Sequence, residues 1–245
     1  MEKFIVQLAD SSHLHYAATI CDEMESSAKA RGTGIAKRSP EYLEQKMLEG
    51  KAVIAFSSDK VWAGFCYIET WSHGNYVANS GLIVSPQFRK SGLAKSIKEK
   101  IFELSRKKYP EAKIFGLTTG LAVMKINSDL GYEPVTYSEL TQDEAFWKGC
   151  QSCVNFEILK SKERKNCLCT AMLYNPDEKK DSDKTHKFLN FKKYSKIFER
   201  VTKMKATIYL KQSKLRTHEK ISGTRLQRRT GHVLLRNLFS AGIKS

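Results

Sequence analysis

A chain of 245 residues, 41% of them hydrophobic, can hold one domain of ordinary size plus an appendage and is too apolar for wholesale disorder. No apolar run approaches the roughly 18 residues of a membrane span and the first residues carry no secretory pattern, so the expected location is the cytoplasm, with reduced cysteines. The net charge of +16 is uneven: residues 176–245 hold 19 Lys+Arg against 6 Asp+Glu, leaving 23 against 20 elsewhere, so the basicity says little about the chemistry of residues 1–175.

Phe4 to Ala9 reads as a strand, and Asp10-Ser11-Ser12 as the cap of a helix reaching about Arg31 with Leu14, Ala17, Cys21, Met24 and Ala28 on one face. Gly32-Thr33-Gly34 breaks it. Ser39-Pro40, a cap followed by proline at the first helical position, opens a second helix that ends at Gly50. Ala52–Phe56 and Val61–Trp71 predict a hairpin, and Val77–Val84 a further strand that Pro86 stops. Leu93, Ile97, Ile101 and Leu104 then mark a long amphipathic helix from about Gly92 to Lys108. Lys113–Thr118 predicts a strand, Ala122–Leu130 a helix stopped by Gly131, and Asn155–Leu159 with Leu168–Leu173 a closing strand pair. The order, βααβββαβαββ, joins an antiparallel meander to a strand–helix–strand crossover, which predicts an α/β (mixed α+β) fold: a mixed sheet of six to seven strands flanked by helices.

The stretch Gly81-Leu82-Ile83-Val84-Ser85-Pro86-Gln87-Phe88-Arg89-Lys90-Ser91-Gly92-Leu93-Ala94 carries the chemistry. A strand runs through a tight turn into the long helix. Gly92 and Ala94 let backbone N–H groups approach a ligand, the helix start adds partial positive charge, and Arg89 and Lys90 add full charges. Those are the parts of a pyrophosphate cradle.

Arg89-x-x-Gly92-x-Ala94 resembles the Arg/Gln-x-x-Gly-x-Gly/Ala signature of the GNAT superfamily of N-acyltransferases, and the resemblance spans roughly Met1 to Leu173. It implies acetyl-CoA or another acyl-CoA as donor. The strand before the signature would part from its neighbour, with Leu82, Ile83 and Val84 holding pantetheine and polarising the thioester, and Arg89, Lys90, Ser91, Gly92, Leu93 and Ala94 holding the pyrophosphate. Ile126-Asn127-Ser128-Asp129-Leu130-Gly131-Tyr132 is similar to the family's Leu-Tyr-x-x-x-Gly-Phe segment, with Asn127 standing where a tyrosine often protonates the leaving thiolate. An amide gives up no such proton but hydrogen-bonds sulfur or the pantetheine arm.

Acyl transfer needs a neutral amine, hence a base; Glu69, late in its strand near the expected cleft, is the candidate, a solvated strand-end carboxylate being the alternative. Arg31, Lys37 and Arg38 lie in the segment that usually covers the acceptor in this superfamily and suit an acidic acceptor, unless the loop is merely solvated. The blocks Arg31–Pro40, Lys113–Gly120 and Phe146–Cys153 resemble a Bacteroidetes GNAT group associated with arginine biosynthesis and, in layout, the acyltransferase domain of N-acetylglutamate synthases. That implies acetyl or succinyl transfer to the α-amine of glutamate. Protein or peptide N-acetyltransferase and a non-catalytic acyl-CoA-binding module are the alternatives.

Cys150-x-x-Cys153 and Cys167-x-Cys169 flank the closing strand pair, whose antiparallel pairing would set Cys153 opposite Cys169 and let four thiolates meet on a structural zinc. Buried free cysteines and a redox pair are the other readings. In the basic extension, Phe188, Phe191, Tyr194, Phe198, Val201 and Ile208 approximate helical spacing over about 187–211. Docking on the domain or a partner is favoured there over nucleic acid or an anionic membrane, and residues from Gln212 on read as disordered. A homodimer is compatible with all of this.

Overall fold

The computed structural model describes residues 3–32 and 37–178. The helix expected over 187–211 and the disorder expected beyond it lie outside the described residues.

The chain runs β1 (Phe4–Leu8), α1 (Ala17–Ala30), α2 (Pro40–Leu48), β2 (Ala52–Ser57), β3 (Trp62–Trp71), β4 (Tyr76–Val84), α3 (Leu93–Lys108), β5 (Lys113–Thr118), α4 (Leu121–Asp129), β6 (Glu133–Val135), α5 (Glu144–Lys148), α6 (Phe156–Ser161) and β7 (Thr170–Tyr174). The expected capping residues are in place: Asp10 accepts from Ser12 N at 2.9 Å and Ser39 from Tyr42 N at 3.3 Å, with Pro40 opening α2.

Seven strands form one sheet in the order β1-β2-β3-β4-β5-β7-β6. Only β4 and β5 are parallel, joined by the α3 crossover that parallel neighbours require. Side-chain alternation gives the sheet two faces. On one, α1 and α2 pack Ala17, Ile20, Met24, Leu43 and Met47 over Ile54, Phe65 and Tyr67. Further along the same face, Trp147 and Leu159 cover Ala78, Phe115, Ala171 and Leu173. The opposite face takes α3, through buried Leu93, Ile97, Ile101 and Leu104.

The closing strand pair is corrected. Residues 155–159 are not a strand: α6 spans Phe156–Ser161, and β7 instead lies between β5 and the short β6. Phe156 and Ile158 alternate as in a strand, but Phe156 and Leu159 are the inward pair, at i, i+3, while Ile158 stays 37% exposed. No register therefore sets Cys153 opposite Cys169.

Candidate active site

β4 makes its ladder with β5 through Tyr76↔Lys113, Val77↔Ile114 and Ala78↔Phe115, and there the pairing ends. Beyond it β4 continues along β3 to Val84, while β5 continues along β7 through Gly116, Leu117 and Thr118. The two parallel strands thus separate after Ala78 and Phe115, leaving a split whose edges carry backbone groups available to a ligand. A bulge shapes the β4 edge: Phe65 pairs Ile83 and Tyr67 pairs Ser80, so Gly81 and Leu82 together oppose Cys66. Gly81 has φ +63°, and a Cβ there would lie 2.4 Å from the Tyr67 ring; only glycine fits.

At the far end of β4 a turn of 3-10 helix (Pro86–Phe88) leads into the cradle. Lys90 and Gly92 have φ +65° and +88°, and Gly92 caps α3 with no side chain, facing open space. Alternating left-handed residues before an uncapped helix start form the kind of backbone that binds anions. Arg89 is used otherwise. Its Nε donates to Val84 O at 3.2 Å, and Nη2 donates to Glu23 Oε1 at 3.0 Å and Ser27 Oγ at 2.5 Å, tying the loop to α1. Arg31 is near this group: burial, then the Arg89 charge, lower its pKa, with Glu23 opposing.

At the apex, Glu69 pairs with Ala78, the last β4 residue bound to β5. Its side chain stands between Tyr67 and Trp71 on the strand, where the two core clusters of that face meet, and the residue is 8% exposed. Arg38 closes over it: Nη2 donates to Glu69 Oε1 at 3.0 Å, Nε to Tyr67 OH at 2.7 Å and Nη1 to Lys37 O at 3.0 Å. Each terminal nitrogen keeps a second N–H. Burial works against the cation, but Tyr67 and Glu69 outweigh it and raise the Arg38 pKa. Burial, followed by Glu69, holds the phenols of Tyr67 and Tyr42 above their usual range.

The three acceptor-side cations separate: Arg38 enters the apex, Lys37 Nζ pairs with Glu25 on the surface at 3.3 Å, and Arg31 lies toward the cradle. Asn127 is 1% exposed and lies at the β5 edge, with Nδ2 3.6 Å from where a Cβ on Gly116 would stand. Nδ2 meets Met172 Sδ at 3.7 Å, while Oδ1 is buried with no hydrogen-bond partner. Sequence reasoning missed Tyr67, Tyr42 and the buried Lys98. For Lys98 a signal existed: it and Ser105 sit seven apart beside the apolar stripe of α3.

The zinc expectation is corrected as well. Cys150, Cys153, Cys167 and Cys169 influence one another electrostatically, yet among the described residues no group of three His, Cys, Asp or Glu is arranged to hold a metal ion. A hydrogen bond with Cys167, then burial, pushes the Cys169 thiol far up, and burial pushes Cys150 to about 11. Without the hairpin the thiols have no shared register; Cys150 and Cys167 border the cluster around Tyr137 and Trp147, and Tyr137 OH donates to Cys169 O at 3.0 Å.

A mixed sheet whose parallel pair parts beside a glycine-capped helix agrees with the GNAT-like fold that the signature implied. Among solved structures, the chain is similar to N-acetylglutamate synthase from Neisseria gonorrhoeae complexed with coenzyme A and N-acetyl-glutamate, at 17% identity and a TM-score of 0.50. That match covers 71% of this chain but only 35% of that one. It is also similar to Rv2747 from Mycobacterium tuberculosis in complex with CoA and NLQ, at 15% identity and a TM-score of 0.50, covering 70% and 98% of the respective chains. No family model and no curated protein matches the sequence.

Proposed function

We propose that this chain is an acyl-CoA-dependent N-acyltransferase. The observation that carries the reading is the separation of β4 from β5 immediately past Ala78, beside the buried Glu69. In this reading the pyrophosphate rests on the backbone of Arg89–Ala94. Arg89 serves by bracing that loop to Glu23, and Lys90 supplies the charge. Pantetheine extends along Leu82, Ile83 and Val84, and the thioester carbonyl reaches the apex with β4 amides to polarise it. An amine entering over Glu69 loses its proton to that carboxylate, directly or through water, as nitrogen attacks.

The acceptor we infer is a small amine bearing a carboxylate, with the α-amine of glutamate as first choice. The spare N–H groups of Arg38 form the fork a carboxylate binds, a few ångströms from the base. The Neisseria structure holds coenzyme A and N-acetyl-glutamate on the same fold, and the blocks resembling the arginine-biosynthesis group agree with this choice.

Calorimetry of the full chain with coenzyme A tests the donor site, with binding expected. Acetyl- and succinyl-CoA assayed against glutamate, other amino acids, amines and peptides test the acceptor. Turnover confined to peptides would replace the glutamate reading. Coenzyme A binding without any turnover would favour a non-catalytic module, which Asn127 in place of a proton donor makes a specific alternative.

A further inference from the structure

Arg38 engages one N–H on each nitrogen of its guanidinium: Nε donates to Tyr67 OH at 2.7 Å, Nη2 to Glu69 Oε1 at 3.0 Å and Nη1 to Lys37 O at 3.0 Å. The N–H groups that remain sit on the terminal nitrogens, the pair that grips a carboxylate bidentately. The Arg38 side chain stays 21% exposed, against 11% for Glu69, so an anion can reach it. Tyr67 is the member of this group that the reading so far leaves unused. It is 1% exposed, and its ring is held by the Gly81 bulge, by Phe65 and, edge-on, by Tyr42 at 6.1 Å between centres.

A hydroxyl on a ring locked in this way is a fixed acceptor. The bonds from Nε to Tyr67 and from Nη2 to Glu69 set the guanidinium plane from alternate residues of β3, which share one face of the strand. Burial, followed by the Glu69 charge, keeps the Tyr67 phenol protonated, so it orients Arg38 without cancelling the charge that draws an anion. Base and guanidinium thus stand in direct contact, an anion and a cation side by side. In an α-amino acid the carboxylate and the amine hang from one carbon. An α-carboxylate on the free edge of Arg38 therefore brings the amine to Glu69, whereas a carboxylate further along the molecule, bound there, carries the amine past it.

We propose that Tyr67 is the positioning residue that makes this site specific for α-amino acids, by aiming Arg38 at the carboxylate next to the reacting amine; this rests on the acyltransferase reading above. Glu69 takes the amine proton, Arg38 takes the α-carboxylate, and Tyr67 acts on the acceptor through Arg38. Glutamate falls within this class, but its side-chain carboxylate is not the one that Arg38 reads. The ring and the hydroxyl of Tyr67 have separate duties. The ring packs beneath Gly81 on the donor side, and the hydroxyl holds Nε on the acceptor side. Removing the hydroxyl alone therefore strikes the choice of acceptor and leaves the bulge supported.

The test uses the full chain, wild type and Tyr67→Phe, with acetyl-CoA as donor and glutamate or isoglutamine as acceptor; isoglutamine differs only in carrying its α-carboxylate as an amide. In wild type kcat/KM for glutamate should exceed that for isoglutamine about 100-fold or more, since a site built to hydrogen-bond a group rejects the analogue lacking it. Tyr67→Phe should narrow that ratio about tenfold or more, the loss expected of one hydrogen bond to a charged group. Coenzyme A affinity, by calorimetry, should stay within about twofold, because the ring remains under Gly81. A ratio that the variant keeps in full overturns the assignment, as does wild type that acylates both acceptors alike. A variant that loses coenzyme A affinity along with both activities shows only a support for the bulge, and overturns it as well. Should Tyr67→Phe not fold, Arg38→Lys decides: it keeps the charge but has no Nε–H for Tyr67 to hold, so a ratio that survives there overturns the assignment. Wild type that binds no coenzyme A ends the acyltransferase reading itself, whereas bound coenzyme A with no α-amino acid acylated strikes the role of Tyr67 alone.

Discussion

Glu69 and Arg38 stand 31 residues apart in the chain and share one hydrogen bond at the apex, where each has a separate job to lose. Glu69→Gln keeps the shape of the cluster and removes the carboxylate we propose as base, so kcat should fall about 100-fold or more with coenzyme A affinity unchanged, measured by steady-state kinetics and calorimetry. Arg38→Gln should instead raise the KM for a carboxylated amine and spare that for an uncharged amine of similar size. At the same scale the buried thiols make a prediction about pH. Burial raises Cys66 and Cys150 to about 11 from an ordinary value of 9.0. The unfolded chain then releases these protons first, so stability is full below about pH 9 and declines from there toward pH 11. Lys98, lowered by burial, titrates in the opposite sense and offsets part of the decline. Urea unfolding across that range should show the loss, and Cys66→Ala should flatten it. Of these residues, Glu69 and Arg38 were legible as candidates from the kind of segment each occupies. Their pairing was not, because a sequence does not show which distant loop closes over a strand.

At the scale of elements, the bulge in β4 does the shaping. Gly81→Ala would force a methyl into the Tyr67 ring and onto Met24 Cε at a positive φ. Overpacking and left-handed strain together should cost about 3 kcal/mol, read by urea unfolding. Gly92→Ala meets open space, so its expected stability cost is only about 1 kcal/mol, from φ alone. Coenzyme A affinity should drop in that variant, because the cradle backbone shifts. The strand–turn–helix around Gly92 was readable because Pro86, the two glycines and the α3 stripe are local signals. β6, at three residues, is too short to show a period, and α6 was misread because three apolar residues in a span of four fit a strand as well as a helix turn.

Taken as a whole, the described residues bring the α1/α2 cluster and the Trp147 cluster against one sheet face, and the split opens between them, with α3 and α4 behind it. Ser152 reaches Lys37 N at 3.4 Å, joining the segment after α5 to the one that carries Arg38. By itself the sequence determined most of the element types through β5 and α4, most of their order and the strand–turn–helix around Gly92, since those follow from periodicity, caps and glycines within a few residues of one another. Only the tertiary structure decided that Arg89 turns to Glu23 instead of standing free, that the four cysteines share no metal-binding register, and that Lys98 is buried against Tyr132 and Cys66. Each of those outcomes depends on which side chains are packed together from elements tens of residues apart, and burial and charge pairing act through that packing rather than through chain neighbours.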